Sequence, residues 1–107
     1  MRIIKYLSDK IADEIEDAAD YAKEAITEKA MYPWLAEILY TISLEESKHR
    51  QMLHEAVARL ITEYRDKTGE PPADMLAKYE YLHKKYIEAA KDAKMYQEMY
   101  KDMHKEP

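Results

Sequence analysis

A chain of 107 residues with 36% charged side chains, a net charge of −5, one glycine and no cysteine has the make-up of one domain of long helices with few turns. The acidic balance argues against nucleic acid, which selects a basic face, and the lack of cysteine excludes disulfides, Cys-ligated zinc, iron–sulfur clusters and thiol catalysis. No run approaches the ~20 apolar residues of a membrane span, and the opening MRIIKYLSDK lacks an apolar signal core. A soluble cytoplasmic protein without membrane partners is therefore the expectation.

Ser8 and Asp9 can cap a first helix, expected over about 9–30. Tyr32-Pro33 ends it, and Pro33 suits the first position of a second helix, expected over 33–67. Thr68-Gly69-Glu70-Pro71-Pro72 is the strongest punctuation in the chain, with Gly69 placed to follow a helix end. A third helix is expected over 73–103. Three long helices with short connections fold up-down-up into a single all-α domain spanning 1–107.

Core lines follow from a 4,3 spacing of positions. In the third helix the line Met75, Tyr79, Leu82, Tyr86, Ala89, Ala93, Tyr96, Tyr100, Met103 carries no charge, and it reads as core or interface. In the first it is Leu7, Ile11, Glu14, Ala18, Tyr21, Ala25, with one carboxylate inside. In the second it is Leu35, Leu39, Ile42, Glu46, His49, Leu53, Ala56, Leu60, with two ionisable residues flanked by apolar ones.

Ionisable groups in a helical core need partners or a metal, because burying them alone costs several kcal/mol. Counting from a turn near Met31 and Tyr32, Glu14 and His49 each lie about 17 residues away and Glu46 about 14, roughly 21–26 Å along the helices. The three converge at one level. Glu46 and His49, three residues apart, share a helix face. Carboxylates with one imidazole suit iron(II), manganese or zinc better than calcium or magnesium.

Glu14, Tyr21 and the Glu46-x-x-His49 motif resemble the first half of the site in the ferritin-like di-iron proteins, which include bacterioferritins and rubrerythrins. The resemblance covers Leu7 to Leu60. It implies Glu14 as a terminal ligand, Glu46 as a bridge between two metals, His49 as the nitrogen ligand and Tyr21 as a hydrogen-bonding neighbour. The family's single chains supply a second Glu and a second Glu-x-x-His from two further helices, and here a fourth helix is missing. Glu80 and His83 on the third helix lie off its apolar line and about 9–14 Å out of level. They are rejected as ligands.

The organisation is similar to that of half-ferritin chains such as the encapsulated ferritins. That likeness implies a homodimer or higher homo-oligomer in which two hairpins form a four-helix bundle around a shared site. It also implies a shell or larger assembly as a further partner, although no shell-targeting tail is apparent in the closing MHKEP.

The remaining polar residues read as surface. Glu45 is a solvent-facing neighbour, Asp13, Asp17, Asp20 and Glu24 form a solvated acidic face, and His54, His83 and His104 are surface histidines. Ala89 and Ala93 fall near the level of Glu46, which would let the third helix approach there. The leading functional expectation is a di-iron oxidoreductase that oxidises iron(II) with dioxygen or peroxide, like a ferroxidase. The alternatives are non-enzymatic zinc or manganese binding at the same residues, and a metal-free helical interaction protein.

Overall fold

The computed structural model describes residues 2–14 and 16–104, with the backbone alone at Ala12 and Asp13. It is all-helical among these residues, with α1 over Arg2–Glu14, α2 over Asp17–Glu28, α3 over Pro33–Thr68 and α4 over Ala73–Asp102. The rod measures 58 × 19 × 18 Å, and α3 alone, at 36 residues, accounts for about 54 Å of that length. The chain runs up through α1 and α2, down α3 and up α4.

Two boundaries differ from the sequence expectation. The first helix begins at Arg2 rather than Asp9, because Ile4, Leu7 and Ile11 continue its apolar line and pack on Val57 and Ile61. Ser8 is accordingly no cap but a core residue, 3% exposed. The same helix is divided, with Glu16 in a turn between α1 and α2. The expected three helices are thus four, although the three-rod arrangement is kept. Pro33 occupies the start of α3 as expected, and Gly69, at φ +96°, closes it by donating its N–H to the Arg65 carbonyl at 3.1 Å.

The core is apolar at both ends and polar in the middle. At one end Ile4, Ile11, Val57 and Ile61 are buried, with Leu53, Leu60, Met75 and Tyr79 packed against them. At the other, Ala25, Ala36 and Tyr100 are buried beneath Ile26, Leu39 and Tyr40. Ala18, Ala22 and Ala25 on α2 have no exposed surface, and such small side chains let helix backbones come close. Close approach shows directly where Ser43 Oγ donates to the Ala18 carbonyl at 2.6 Å.

The deepest line on α3 is Ala36, Ser43, Arg50, Val57 and Ile61, rotated from the expected line of Leu35 to Leu60. The expected residues are half-buried, and the His49 side chain is 58% exposed. On α4 the expected line holds better, with Leu82, Ala93 and Tyr100 buried, most of the others half-buried and Met103 exposed.

Candidate functional site

Between the two apolar clusters lies a group of buried and part-buried polar side chains. Ser43, with no exposed surface, bonds the Ala18 carbonyl and accepts from Gln97 Nε2 at 2.9 Å, and the same Gln97 nitrogen reaches Ser47 Oγ at 3.0 Å. These bonds fix the register of all three rods. Four residues along α3 from Ser43 is Ser47, and four back from Ala18 is Glu14. The helix is broken between Glu14 and Asp17, and what brings Glu14 and Glu46 to one part of the rod is that both act on the Arg50 guanidinium.

Glu14 is half-buried, and its Oε2 is buried without a hydrogen-bond partner among the described residues. Glu46, 23% exposed, and His49 form a loose pair, Oε1 to Nδ1 at 3.8 Å. That is within ion-pair range but too long for a hydrogen bond. Tyr21 is half-buried on α2, beside Asp17, Glu24 and Leu39 in an open cleft. Among the described residues no three His, Asp or Glu side chains converge closely enough to hold an ion.

Arg50 is the residue that sequence reasoning missed. It is 1% exposed at the centre of α3, its guanidinium 6.0 Å above the Tyr86 ring. Burial pushes its pKa down, opposed by Tyr86, Asp17, Glu46 and Glu14. The guanidinium therefore sits in the field of the candidate carboxylates and balances part of their charge. Asp17 accordingly leaves the solvated acidic face expected for it, being half-buried near Arg50, whereas Asp20 and Glu24 are exposed. The side chain of Asp13 lies outside the described residues. Glu45 is exposed as expected.

A second polar cluster corrects the reading of His54 and His83 as surface histidines. His54 Nε2 and His83 Nδ1 are 2.6 Å apart between α3 and α4. Their centroids are 4.7 Å apart at an interplanar angle of 26°, so the rings meet edge to edge. His54 also lies parallel to Tyr86, with centroids 4.5 Å apart at 8°. Burial is the main cause lowering the His54 pKa, and His83 adds to it. A sequence signal existed: His54 lies 15 residues before Gly69 and His83 14 after it, which levels them across the turn. His104 is exposed as expected, near Tyr100 and Glu37.

Comparison with known protein families, characterised proteins and solved structures gives no match. Among the described residues no helix is long and apolar enough to cross a membrane.

Proposed function

We propose that this chain is a metal-binding helical protein whose carboxylate–imidazole site is completed by a second copy, and that iron(II) oxidation is its reaction. The observation that carries the reading is Glu14 Oε2, a buried carboxylate oxygen without a hydrogen-bond donor among the described residues, which shares the field of Arg50 with Glu46 of the Glu46–His49 pair. Such an atom is costly unless a cation reaches it. One chain offers two carboxylates and one imidazole, too few in convergence to hold an ion. Two copies offer four carboxylates and two imidazoles, a donor set that suits iron(II), manganese or zinc.

Iron(II) bound there supplies electrons for the reduction of dioxygen or peroxide. The chain's own residues hold the charge. Arg50 offsets part of the carboxylates' charge before metal arrives. Tyr21, half-buried on the same hairpin, is assigned to hydrogen bonding beside the ligands.

A second reading rests on Arg50 itself, whose guanidinium lies in the field of Asp17, Glu46 and Glu14. This is a metal-free ion cluster in a helical interaction protein. Anaerobic loading with iron(II), desalting, metal analysis and exposure to air separate the readings. The proposal expects metal retention that Glu46→Ala and His49→Ala abolish, and ferric absorbance appearing faster than with free iron. Retention without acceleration makes the protein a zinc, manganese or iron binder rather than an oxidase. No retention, with both variants as stable as the parent, leaves the metal-free cluster.

A further inference from the structure

The two histidines between α3 and α4 form a pair separate from Glu14, Glu46 and His49. His54 Nε2 and His83 Nδ1 come from different helices and face each other at 2.6 Å. His54 lies five residues beyond His49, about 140° around α3 from it, on the side that meets α4. Both side chains are half-buried. Tyrosines hold their ring planes. Tyr86 stacks on His54 with centroids 4.5 Å apart at 8°, and Tyr79 lies 6.0 Å from the His83 ring and 6.1 Å from that of His54.

Tying α4 to α3 needs one hydrogen bond there, which an amide and a hydroxyl would make as well. Two imidazoles offer more, because each neutral ring keeps one nitrogen lone pair for a metal. The surroundings keep the pair neutral. Burial and His83 lower the His54 pKa against the opposing charge of Glu55, whose carboxylate already accepts from Gln51 Nε2 at 3.1 Å. Neutral imidazole is the ligating form, so protons compete little with a metal above the ordinary histidine range. An open cleft lined by Tyr79, Glu80, Tyr81 and His83 gives solvent and ions a way in.

We propose that His54 Nε2 and His83 Nδ1 chelate one late first-row divalent ion, of the zinc, nickel and copper(II) class, and so clip α4 to α3. No third His, Asp or Glu converges there among the described residues, so water from the cleft fills the remaining positions. Metal–nitrogen bonds of about 2.0–2.1 Å set two ligating nitrogens about 2.9–3.3 Å apart. The pair therefore opens by less than about 1 Å, with both rings turned towards a common point. The proton between the rings moves to the outer nitrogen of its own ring, so each imidazole keeps one N–H. Two imidazoles without a carboxylate favour copper, nickel and zinc over iron(II), which separates this site from the carboxylate-rich one.

An ion held by two helices stabilises the folded chain over the unfolded one. The test is urea unfolding of the full chain at about pH 7.5, above the histidine range, with chelator or with a series of zinc concentrations. Once free zinc exceeds its Kd, each tenfold rise should raise the folded-to-unfolded ratio about tenfold. The response should persist in the double variant Glu46→Ala/His49→Ala and vanish in His54→Phe and in His83→Phe. No response in the parent, or an equal one in His54→Phe, overturns the site. A response lost in Glu46→Ala/His49→Ala puts the zinc on the carboxylates and overturns it too.

Copper(II) gives a second measurement that does not depend on the folding of the His54 and His83 variants. One equivalent added to Glu46→Ala/His49→Ala should show electron paramagnetic coupling to two imidazole nitrogens. The other histidine left, His104, is 21 residues from His83, about 30 Å along α4, so a two-imidazole spectrum identifies the pair. Coupling to one imidazole or none overturns the proposal. A zinc response without iron retention in the parent would keep this site and discard the iron reading of Glu14, Glu46 and His49.

Discussion

The His54–His83 contact predicts a pH response that can be isolated by one substitution. Two imidazole nitrogens 2.6 Å apart share one proton, and protonating both sets two positive charges against each other. His54 is also held below its ordinary pKa, first by burial and then by His83. Its folded pKa lies below its unfolded value, so the neutral form is favoured in the fold. The contact's contribution is therefore complete above the ordinary histidine value of 6.5 and is lost as pH falls below it. A neutral side-chain hydrogen bond contributes about 1 kcal/mol net. Phe at position 54 keeps a ring against Tyr86 and removes the shared proton. His54→Phe should thus cost about 1 kcal/mol at pH 7.5 and about nothing at pH 5, measured as the difference in urea-unfolding free energy from the parent. Taking the difference cancels the titration of the many carboxylates. If parent and variant keep the same gap at both pH values, the histidine pair is not the source and the reasoning fails.

Replacing Arg50, 1% exposed, with Ala leaves Glu14, Glu46 and Asp17 without that guanidinium's field and opens a void. The expected cost is about 3 kcal/mol, read by urea denaturation, and a loss below about 1 kcal/mol would show the cluster to be peripheral to stability. Tyr100, 1% exposed with its hydroxyl donating to Glu37 Oε2 at 2.9 Å, has its pKa pushed up to about 12, by burial first and then by Glu37. Its contribution is present below the ordinary tyrosine value of 10.0 and lost as pH rises towards the folded value, so ultraviolet titration should find a late-ionising tyrosine that Tyr100→Phe removes. Gly69→Ala meets open space, with no atom within 4 Å of the new Cβ. The left-handed backbone alone should cost it about 1 kcal/mol, seen as a fall in melting temperature.

Most element boundaries were legible because their signals are local and strong. Pro33 and the run from Gly69 to Pro72 bracket α3 and α4 as the sequence indicates. The break before α2 was not legible, since IADEIEDAADYA contains neither glycine nor proline. Nor was the start at Arg2, because Ser8-Asp9 has the chemistry of a cap while Ser8 faces the core. The α3 core line was misplaced for a different reason. Ala36, Ser43, Arg50 and Val57 recur at seven-residue steps, but a serine and an arginine among them read as surface. Only the contacts with Ala18, Gln97 and Tyr86 show why both are inside.

Those buried polar groups explain how an alanine- and tyrosine-rich bundle keeps one register. Sliding α4 by one turn along α3 would break Gln97 from Ser43 and Ser47, His83 from His54 and the Tyr86 ring from Arg50. It would leave several half-buried polar groups unsatisfied, each costing about 1–3 kcal/mol. Polar groups in the middle layer thus earn their place by fixing α4, a use that apolar residues cannot supply. Glu46 and His49 are not among the residues that hold α4. Glu46 is half-buried and His49 exposed on α3, paired loosely with each other at 3.8 Å, and Glu14 Oε2 has no hydrogen-bond partner among the described residues. Fixing the bundle accounts for Arg50, Ser43 and His54, but it gives no reason for two carboxylates and an imidazole within an apolar line. Under the proposed function that reason is a metal ion, whose donor set a second copy of the chain completes.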